Sequence, residues 1–181
     1  MAIPPPSMRG YFGIGAEGIS KTVNLGNLAR TANAFGASFV FLVDPDARLR
    51  DALATDTSGT SGQLPLYQYR SVAELTLPRG CELVGVELVD DAVDLPSFRH
   101  PSRAAYVFGP ERSSLSPAMQ ARCRHLVRIP TRFCVNLAVA GAIVMYDRLL
   151  VHGRFAERPV ASGGPDLPPP EHVHGRPLLR R

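Results

Sequence analysis

The longest apolar run of the chain lies in its C-terminal part. Every residue from 137 to 146 is apolar or glycine, so a helix formed there has no polar face and must be buried on more than one side. The run is too short to span a bilayer. We therefore expect a helix over residues 137–150 that packs against a sheet on one side and against another surface, such as a second subunit, on the other.

The N-terminal part shows one unit of strand, helix and strand. Residues 11–14 form a short apolar segment, and residues 38–43 read as a buried strand. Between them, apolar residues recur at helical spacing and Gly36 provides a C-terminal cap. The recurring residues are Leu25, Leu28, Ala29, Ala32 and Phe35. A unit of this kind favours a parallel sheet.

Further short apolar segments complete the predicted sheet. These strands are residues 66–69, 82–88, 104–108 and 125–129. Ser71 and Glu74 have capping-box spacing and predict a brief helix that Pro78 ends. Ser116 followed by Pro117 predicts a second helix start. Residues 44–63, which are small and polar, and the acidic segment after Leu88 are expected to be loops.

The pattern predicts one α/β domain over residues 10–155. The proline-containing residues 1–9 are expected to be a flexible lead, and residues 156–181, rich in proline, glycine and arginine, a disordered tail. We expect a cytoplasmic protein because neither a membrane span nor a signal peptide is visible. Three widely spaced cysteines predict neither a disulfide framework nor a metal site.

The basic residues are almost all arginine. The net charge is +4, and Lys21 is the single lysine among 20 basic residues. The planar guanidinium group suits phosphate, so the arginines that precede the apolar helix predict an RNA-binding rim. A GC-rich coding sequence would produce the same bias. The arginines concerned are Arg99, Arg103, Arg112, Arg122, Arg124, Arg128 and Arg132.

Candidate chemistry lies in the loops that follow strands, where open parallel sheets bind ligands. The loops are the one after Leu88, residues 109–114 and residues 130–135. Asn136 stands where it can cap the apolar helix, and that helix start would also attract an anionic ligand. The alternatives are that Asn136 is only a cap and that Glu111 is only a solvated loop carboxylate.

One glycine pattern imitates a dinucleotide-binding fingerprint. Gly13, Gly15 and Gly18 match G-x-G-x-x-G, and Asp44 ends the next strand. The context argues against a nicotinamide-binding oxidoreductase, because the strand before Gly13 is short and the helical pattern begins well after Gly18.

Three separated motifs together resemble one family. They are NLGNLARTA at residues 24–32, FGPERSSLS at residues 108–116, and Ile129-Pro130 followed by Asn136 and the small-residue helix. In this order they resemble the motifs of the TrmH-like (SpoU-type) RNA 2′-O-methyltransferases of the SPOUT superfamily. The resemblance covers roughly residues 11–150.

The resemblance implies an α/β sheet with a C-terminal deep trefoil knot, bound S-adenosylmethionine and a homodimer that completes the site. It implies catalytic roles for Asn24, Arg30, Glu111 and Asn136. It implies a cofactor pocket formed by Leu88, Gly109, Ile129, Pro130 and Cys134. Two positions depart from the family pattern, since Ser114 stands where glycine is usual and Cys134 where serine is usual.

The implied activity is methylation of a ribose 2′-hydroxyl, with tRNA favoured over rRNA because the chain has little room for an added RNA-binding domain. Arg30 would stabilise the developing alkoxide, since its pKa is too high for a base. Read without the motif, Arg30 is a solvated helix residue. The alternative function is a non-catalytic RNA-binding or assembly factor on the same knot fold.

Overall fold

The computed structural model describes residues 10–49, 64–153, 155–156 and 158–164. The lead at residues 1–9, most of the polar loop and most of the tail lie outside the described residues. The strands are β1 (Tyr11–Glu17), β2 (Phe39–Val43), β3 (Leu66–Tyr69), β4 (Glu82–Val86), β5 (Val93–Asp94), β6 (Arg103–Phe108) and β7 (His125–Arg128). The helices are α1 (Thr22–Ala34), α2 (Pro117–Arg122) and α3 (Leu137–His152), with a 3₁₀ turn at Leu95–Ser97.

The strands form one sheet in the order β3-β2-β1-β6-β4-β7-β5, and every pair is parallel. This confirms the predicted parallel α/β sheet. Ala16 pairs with Phe108, Phe108 with Val86, and Val86 with Val127. The carboxyl ends of the four central strands therefore lie level at one edge of the sheet, where ligands bind in folds of this type.

The last strand is inserted between two earlier ones. β7 pairs with both β4 and β5, although β4 and β5 follow each other in the sequence. The connection between them, residues 87–92, therefore passes β7, and the Glu87 N–H donates to the Val127 carbonyl at 2.9 Å. The acidic segment is thus not entirely a loop, as expected, because Val93 and Asp94 add a short edge strand to β7.

The glycines of β1 are explained by packing. A Cβ atom on Gly13 would lie 2.2 Å from the ring of Phe39, and one on Gly15 would lie 2.2 Å from the carbonyl oxygen of Phe41. β1 extends to Glu17, so these glycines lie within a strand and make room for β2. A dinucleotide-binding loop has its glycines between a strand and a helix, and the structure offers no such loop here.

Helices α1 and α3 pack against each other and against the sheet. Gly141 allows their close approach, because a Cβ atom there would lie 2.5 Å from Leu28 Cδ1. Leu28 and Val144 are fully buried in the core with Ile14 of β1. α3 begins at Leu137, where the sequence predicted it, and none of the helices among the described residues is long and apolar enough to cross a membrane.

One predicted helix is absent, and one helix start is confirmed. The segment after Ser71 is a turn, in which the Glu74 N–H donates to the Ser71 carbonyl at 3.2 Å and the Glu74 carboxylate accepts from the Arg70 N–H at 3.0 Å. These side-chain and backbone bonds replace those of a helix. In contrast, Ser116 caps α2 as predicted, since its Oγ accepts from the Met119 N–H at 3.1 Å.

A buried arginine joins α3 to the amino ends of the central strands. Arg148 is 1% exposed. Its guanidinium group donates to the carbonyls of Pro101 at 2.6 Å and Ser102 at 2.9 Å, and to the hydroxyl of Tyr106 at 3.2 Å. The same hydroxyl lies 2.6 Å from Nδ1 of His100. Sequence reasoning missed this network, because an arginine near a helix end normally lies in solvent.

Burial determines the protonation of this network. Burial raises the pKa of Tyr106 to about 12 and lowers the pKa of His100, whose Nε2 lies 2.9 Å from Asp147 Oδ2. The hydroxyl therefore keeps its proton at neutral pH. The charge of Arg148 lies among oxygen acceptors, and the Ser102 carbonyl also accepts from the Tyr11 N–H at 3.1 Å.

We expect Arg148→Leu to lower the free energy of unfolding by about 3 kcal/mol, because it leaves buried carbonyls without a charged donor. The measurement is urea denaturation. Arg79→Leu, at an exposed position in a turn, is the matched control and should change the free energy by less than about 0.5 kcal/mol. Equal midpoints for Arg148→Leu and the wild type would contradict the role of this network.

Candidate active site

A cavity of about 580 Å³ opens at the carboxyl edge of the sheet. Its wall combines the ends of β4 and β6, the segment after β7, and the starts of α1 and α3. The apolar part of the wall includes Val86, Leu88, Phe108, Ile129, Leu137 and Ala140. The polar part includes Lys21, Asn24, Glu87, Glu111, Arg112, Ser114, Thr131 and Asn136.

Three polar residues from distant parts of the sequence are hydrogen-bonded in this wall. Asn24 Nδ2 donates to Glu111 Oε1 at 2.8 Å, and Asn136 Nδ2 donates to Asn24 Oδ1 at 3.1 Å. Asn24 is 6% exposed, so its amide is held in one orientation by partners on both sides. The structure thus brings one residue of each predicted motif into a single chain of hydrogen bonds.

Asn136 has two structural tasks. Its Oδ1 accepts from the N–H groups of Ala138 at 2.9 Å and Val139 at 3.4 Å, which caps α3. Its Nδ2 is left to donate to Asn24. The predicted cap is therefore confirmed, and it coincides with the wall of the cavity.

Glu111 serves the start of α1. Lys21, the residue before the helix, makes no side-chain capping bond. Instead, Glu111 accepts from the Lys21 N–H at 3.3 Å and from the Ser20 hydroxyl at 3.2 Å. Burial alone would raise the pKa of Glu111, but the hydrogen bonds from Asn24 and the backbone outweigh it and lower the pKa. Glu111 is therefore a carboxylate at neutral pH, beside the positive end of a helix dipole.

Two further carboxylates hold the loop that follows β6. Glu87 Oε2 accepts from the Leu115 N–H at 2.7 Å. Glu17, 7% exposed, accepts from the Ser116 N–H at 2.8 Å and its hydroxyl at 2.6 Å. A Cβ atom on Gly109 would lie 2.8 Å from the Leu115 nitrogen, so the loop requires glycine there. Sequence reasoning missed both acids, although acidic residues at or just after strand ends were a usable signal.

Most of the predicted site residues lie on this cavity. Asn24, Leu88, Gly109, Glu111, Ile129, Cys134 and Asn136 line it, as does Ser114. Pro130 lies between the wall residues Ile129 and Thr131 and does not itself line the cavity. The roles of these residues remain predictions.

Arg30 is placed differently. It is exposed and does not line the cavity of its own chain. It lies six residues after Asn24 on α1, about 9 Å along the helix axis. Val23, which is 70% exposed, lies on the same face of α1. The single chain therefore does not bring Arg30 to the other predicted catalytic residues.

The predicted arginine rim divides into two groups. Arg122 donates to the backbone carbonyls of Val72 and Leu75, Arg124 pairs with Glu82 at 3.3 Å, and Arg128 pairs with Asp94 at 2.6 Å, so these three stabilise the fold. Of the remaining four, Arg103 starts β6 at the opposite edge of the sheet, and Arg112 lines the cavity. The structure therefore does not place the seven arginines on one RNA-facing surface.

The part of the chain that the structure describes contains no group of three or more His, Cys, Asp or Glu side chains placed to hold a metal ion. Cys81 and Cys123 are half-buried, and burial raises the pKa of Cys123 to about 12. Cys134 is exposed at the cavity.

We expect Asn136→Ala to lower the free energy of unfolding by about 1 kcal/mol, because it removes the cap of α3. Asn136→Ser keeps an oxygen for the cap but has no amide to donate to Asn24, so it should recover most of that loss. Urea denaturation of both variants separates the cap from the hydrogen bond to Asn24. An Asn136→Ala variant with unchanged stability would show that the cap contributes nothing.

Comparison with known proteins agrees with this geometry. The model of the SpoU rRNA Methylase family matches residues 12–146. The chain is 24% identical over 137 residues to the tRNA (guanosine(18)-2′-O)-methyltransferase of Escherichia coli K12, a match that covers 72% of this chain and 59% of that enzyme. The chain thus spans less than two thirds of that relative's length.

Two solved structures share the fold. One, from a study of 2-OH methylation of C/U34 on tRNA, has a TM-score of 0.66 and 26% identity, covering 78% of this chain and 91% of that one. The other, the AdoMet-bound rRNA methyltransferase of Sinorhizobium meliloti, has a TM-score of 0.65 and 23% identity, covering 79% and 57%. With the family model matching most of the chain and all three motifs meeting at one cavity, this protein belongs to the SpoU rRNA Methylase family.

Proposed function

We propose that this protein transfers the methyl group of S-adenosylmethionine to a ribose 2′-hydroxyl of RNA. The observation that carries the proposal is the chain of hydrogen bonds from Glu111 through Asn24 to Asn136, which joins the three motifs at one cavity. Relatives of the chain are named as RNA 2′-O-methyltransferases, and one related structure holds AdoMet. These likenesses support both the reaction and the cofactor.

The cavity fits S-adenosylmethionine in size and chemistry. A volume of about 580 Å³ lies within the usual range of about 300–1,000 Å³ for small-molecule sites. Leu88, Ile129 and Leu137 give an apolar wall for a purine ring, and Gly109 also lines the cavity. When bound, the cofactor supplies a methyl group already activated by its sulfonium sulfur, so the protein has to position the acceptor.

The residues on the wall suit positioning better than proton transfer. Glu111 is ionised, and four hydrogen-bond donors already occupy its oxygens. Asn24 and Asn136 cannot exchange a proton near neutral pH. These three residues therefore orient the site, and the negative charge that develops on the ribose oxygen must be stabilised by a cation. Arg30 is the candidate, with a nearby phosphate accepting the proton.

A homodimer would explain how Arg30 reaches a cavity. α3 was expected to be buried on more than one side, yet Val139, Tyr146 and Leu150 remain 50%, 51% and 37% exposed. They lie at helical spacing on one face, and α1 packs beside α3 with Val23 exposed. We place the dimer interface on this apolar face. Arg30, on the exposed side of α1, would then act in the site of the partner subunit.

The C-terminal part of the chain is proposed to form a deep trefoil knot. Support comes from the insertion of β7 between β4 and β5. The connection at residues 87–92 passes β7, and the loop after β6 is braced by Glu87 from that connection. The segment that leads into α3 would pass between these two loops, which both border the cavity.

Transfer RNA is the first choice of substrate and ribosomal RNA the second. One related structure, 91% of which the match covers, comes from a study of methylation on tRNA. Other relatives are named for rRNA, including the Acinetobacter baylyi 23S rRNA (guanosine-2′-O-)-methyltransferase. The alternative, a non-catalytic RNA-binding factor, is less well supported, because the polar residues of all three motifs are retained and three of them are hydrogen-bonded at the cavity.

We expect methyl transfer from labelled S-adenosylmethionine to tRNA in assays with separate tRNA and rRNA pools from cells that lack the protein. Nucleoside analysis should identify a 2′-O-methylated nucleoside. Label found only in rRNA would make rRNA the preferred substrate instead of tRNA. Cofactor binding without transfer to either pool would favour the non-catalytic factor.

We expect Arg30→Ala to lower kcat by about 10²-fold or more, because it removes the cation that stabilises the alkoxide. The affinity for S-adenosylmethionine, measured by calorimetry, should stay unchanged because Arg30 is not on the cavity wall. Arg79→Ala is the control for the loss of one exposed arginine. Equal losses of turnover and cofactor affinity would contradict the assigned role.

Mixed dimers extend this test to the subunit arrangement. Arg30→Ala and Glu111→Ala should each be inactive alone. If Arg30 acts in the partner's site, a dimer of one copy of each variant has one site with both lesions and one intact site. Mixing the refolded or co-expressed variants should then restore activity. If Arg30 acts in its own chain, every site keeps one lesion and activity stays absent.

A further inference from the structure

Phe133 is the most exposed aromatic side chain among the described residues. It is 76% exposed, compared with 50% for Tyr67, 51% for Tyr146 and 53% for Phe155. It lies between Thr131 and Cys134, which both line the cavity. Nothing in the core requires a phenylalanine at this position, so its ring is available to a ligand at the mouth of the cavity.

The backbone of the loop that carries Phe133 is held by hydrogen bonds. The Thr131 N–H donates to the Ile129 carbonyl at 2.8 Å, and the Thr131 hydroxyl donates to the Phe133 carbonyl at 2.9 Å. Asn136 then starts α3 three residues later. These hydrogen bonds order the backbone beside Phe133, whose side chain stays exposed. An ordered loop loses less conformational entropy when it binds a ligand than a loose one does.

Three positive side chains lie at or next to the cavity, whose wall also carries the carboxylates Glu87 and Glu111, both hydrogen-bonded to backbone N–H groups. Arg132 precedes Phe133, and Lys21 and Arg112 line the cavity. All three are exposed, and none forms an ion pair with another described residue. Lys21 is the single lysine of the chain. The other rim arginines Arg124 and Arg128 are paired with carboxylates, so the unpaired cations at the cavity remain available for phosphate groups.

We propose that Phe133 is a stacking platform for an unpaired base next to the methylated ribose, with Lys21, Arg112 and Arg132 contacting the flanking phosphates. This inference rests on the proposed RNA methylation and deepens it by naming the substrate class. The face of a base is accessible to an aromatic ring only where the base is unstacked, as in loops and bulges. The protein therefore acts on single-stranded or looped RNA and discriminates against continuous duplex.

A second copy of the chain is the competing occupant of Phe133. The apolar face assigned to the dimer consists of Val139, Tyr146 and Leu150 on α3, and none of these three residues is charged. Phe133 instead follows Arg132 in a loop beside a cavity that Lys21 and Arg112 line. These cations suit a polyanion better than another copy of a chain with a net charge of +4. Charge therefore favours RNA at this position.

The test uses the full chain with saturating S-adenosylmethionine and two labelled probes, a hairpin RNA with a mixed-sequence loop and a blunt duplex with the same stem. Phe133→Ala should raise the Kd for the hairpin by about five- to a hundredfold and leave duplex binding and cofactor affinity unchanged. Phe133→Tyr should keep the wild-type Kd. Phe155→Ala is the matched control, an exposed phenylalanine beyond the opposite end of α3.

A 2-aminopurine in the hairpin loop gives a direct signal, because stacking on Phe133 quenches its fluorescence. Unchanged hairpin affinity in Phe133→Ala would overturn the inference while leaving the proposed methylation intact. A shift from dimer to monomer in sedimentation, with equal loss of both probes, would assign Phe133 to a second copy instead. If the wild type binds the cofactor but neither RNA probe, that result would contradict both the proposed RNA substrate and the role of Phe133.

Discussion

The site depends on one chain of hydrogen bonds that joins Glu111, Asn24 and Asn136. Each member also completes a helix start or a loop, since Glu111 serves the uncapped start of α1 and Asn136 caps α3. The same residues therefore form part of the cavity wall and complete the helix termini. We expect a change at any of the three to affect both folding and ligand binding, because a buried amide left without its partner costs free energy.

The two ends of the strands have different roles in the structure. At the carboxyl edge, carboxylates hold loops and helix starts around a cavity, and unpaired cations remain beside it. At the amino edge, Arg148 and Tyr106 tie α3 to the strands through buried hydrogen bonds. α3 is thus anchored at both ends. Its intervening face carries Tyr146 and Leu150 in solvent, which leaves one large apolar surface free for a partner without disturbing either anchor.

Whether an arginine near the cavity can bind phosphate depends on the contacts of its own side chain. The sequence contains many arginines, but Arg122 binds backbone carbonyls and Arg128 binds Asp94. A buried or paired arginine stabilises the fold and has little left to offer a phosphate. Those that remain exposed beside the cavity are few, and their position next to Phe133 matters more than the net charge of the chain.

Local pattern was sufficient for the parallel sheet, the start of α3 at Leu137 and the cap by Ser116, because these are visible in the order and spacing of neighbouring residues. The resemblance to the family supplied the residues of the three motifs. It failed where distant contacts decide. Only the tertiary structure showed that Arg148 is buried and that Arg30 does not line the cavity of its own chain. Three partners of Arg148 are 42 to 47 residues away in the sequence, and periodicity and spacing carry no information about such contacts.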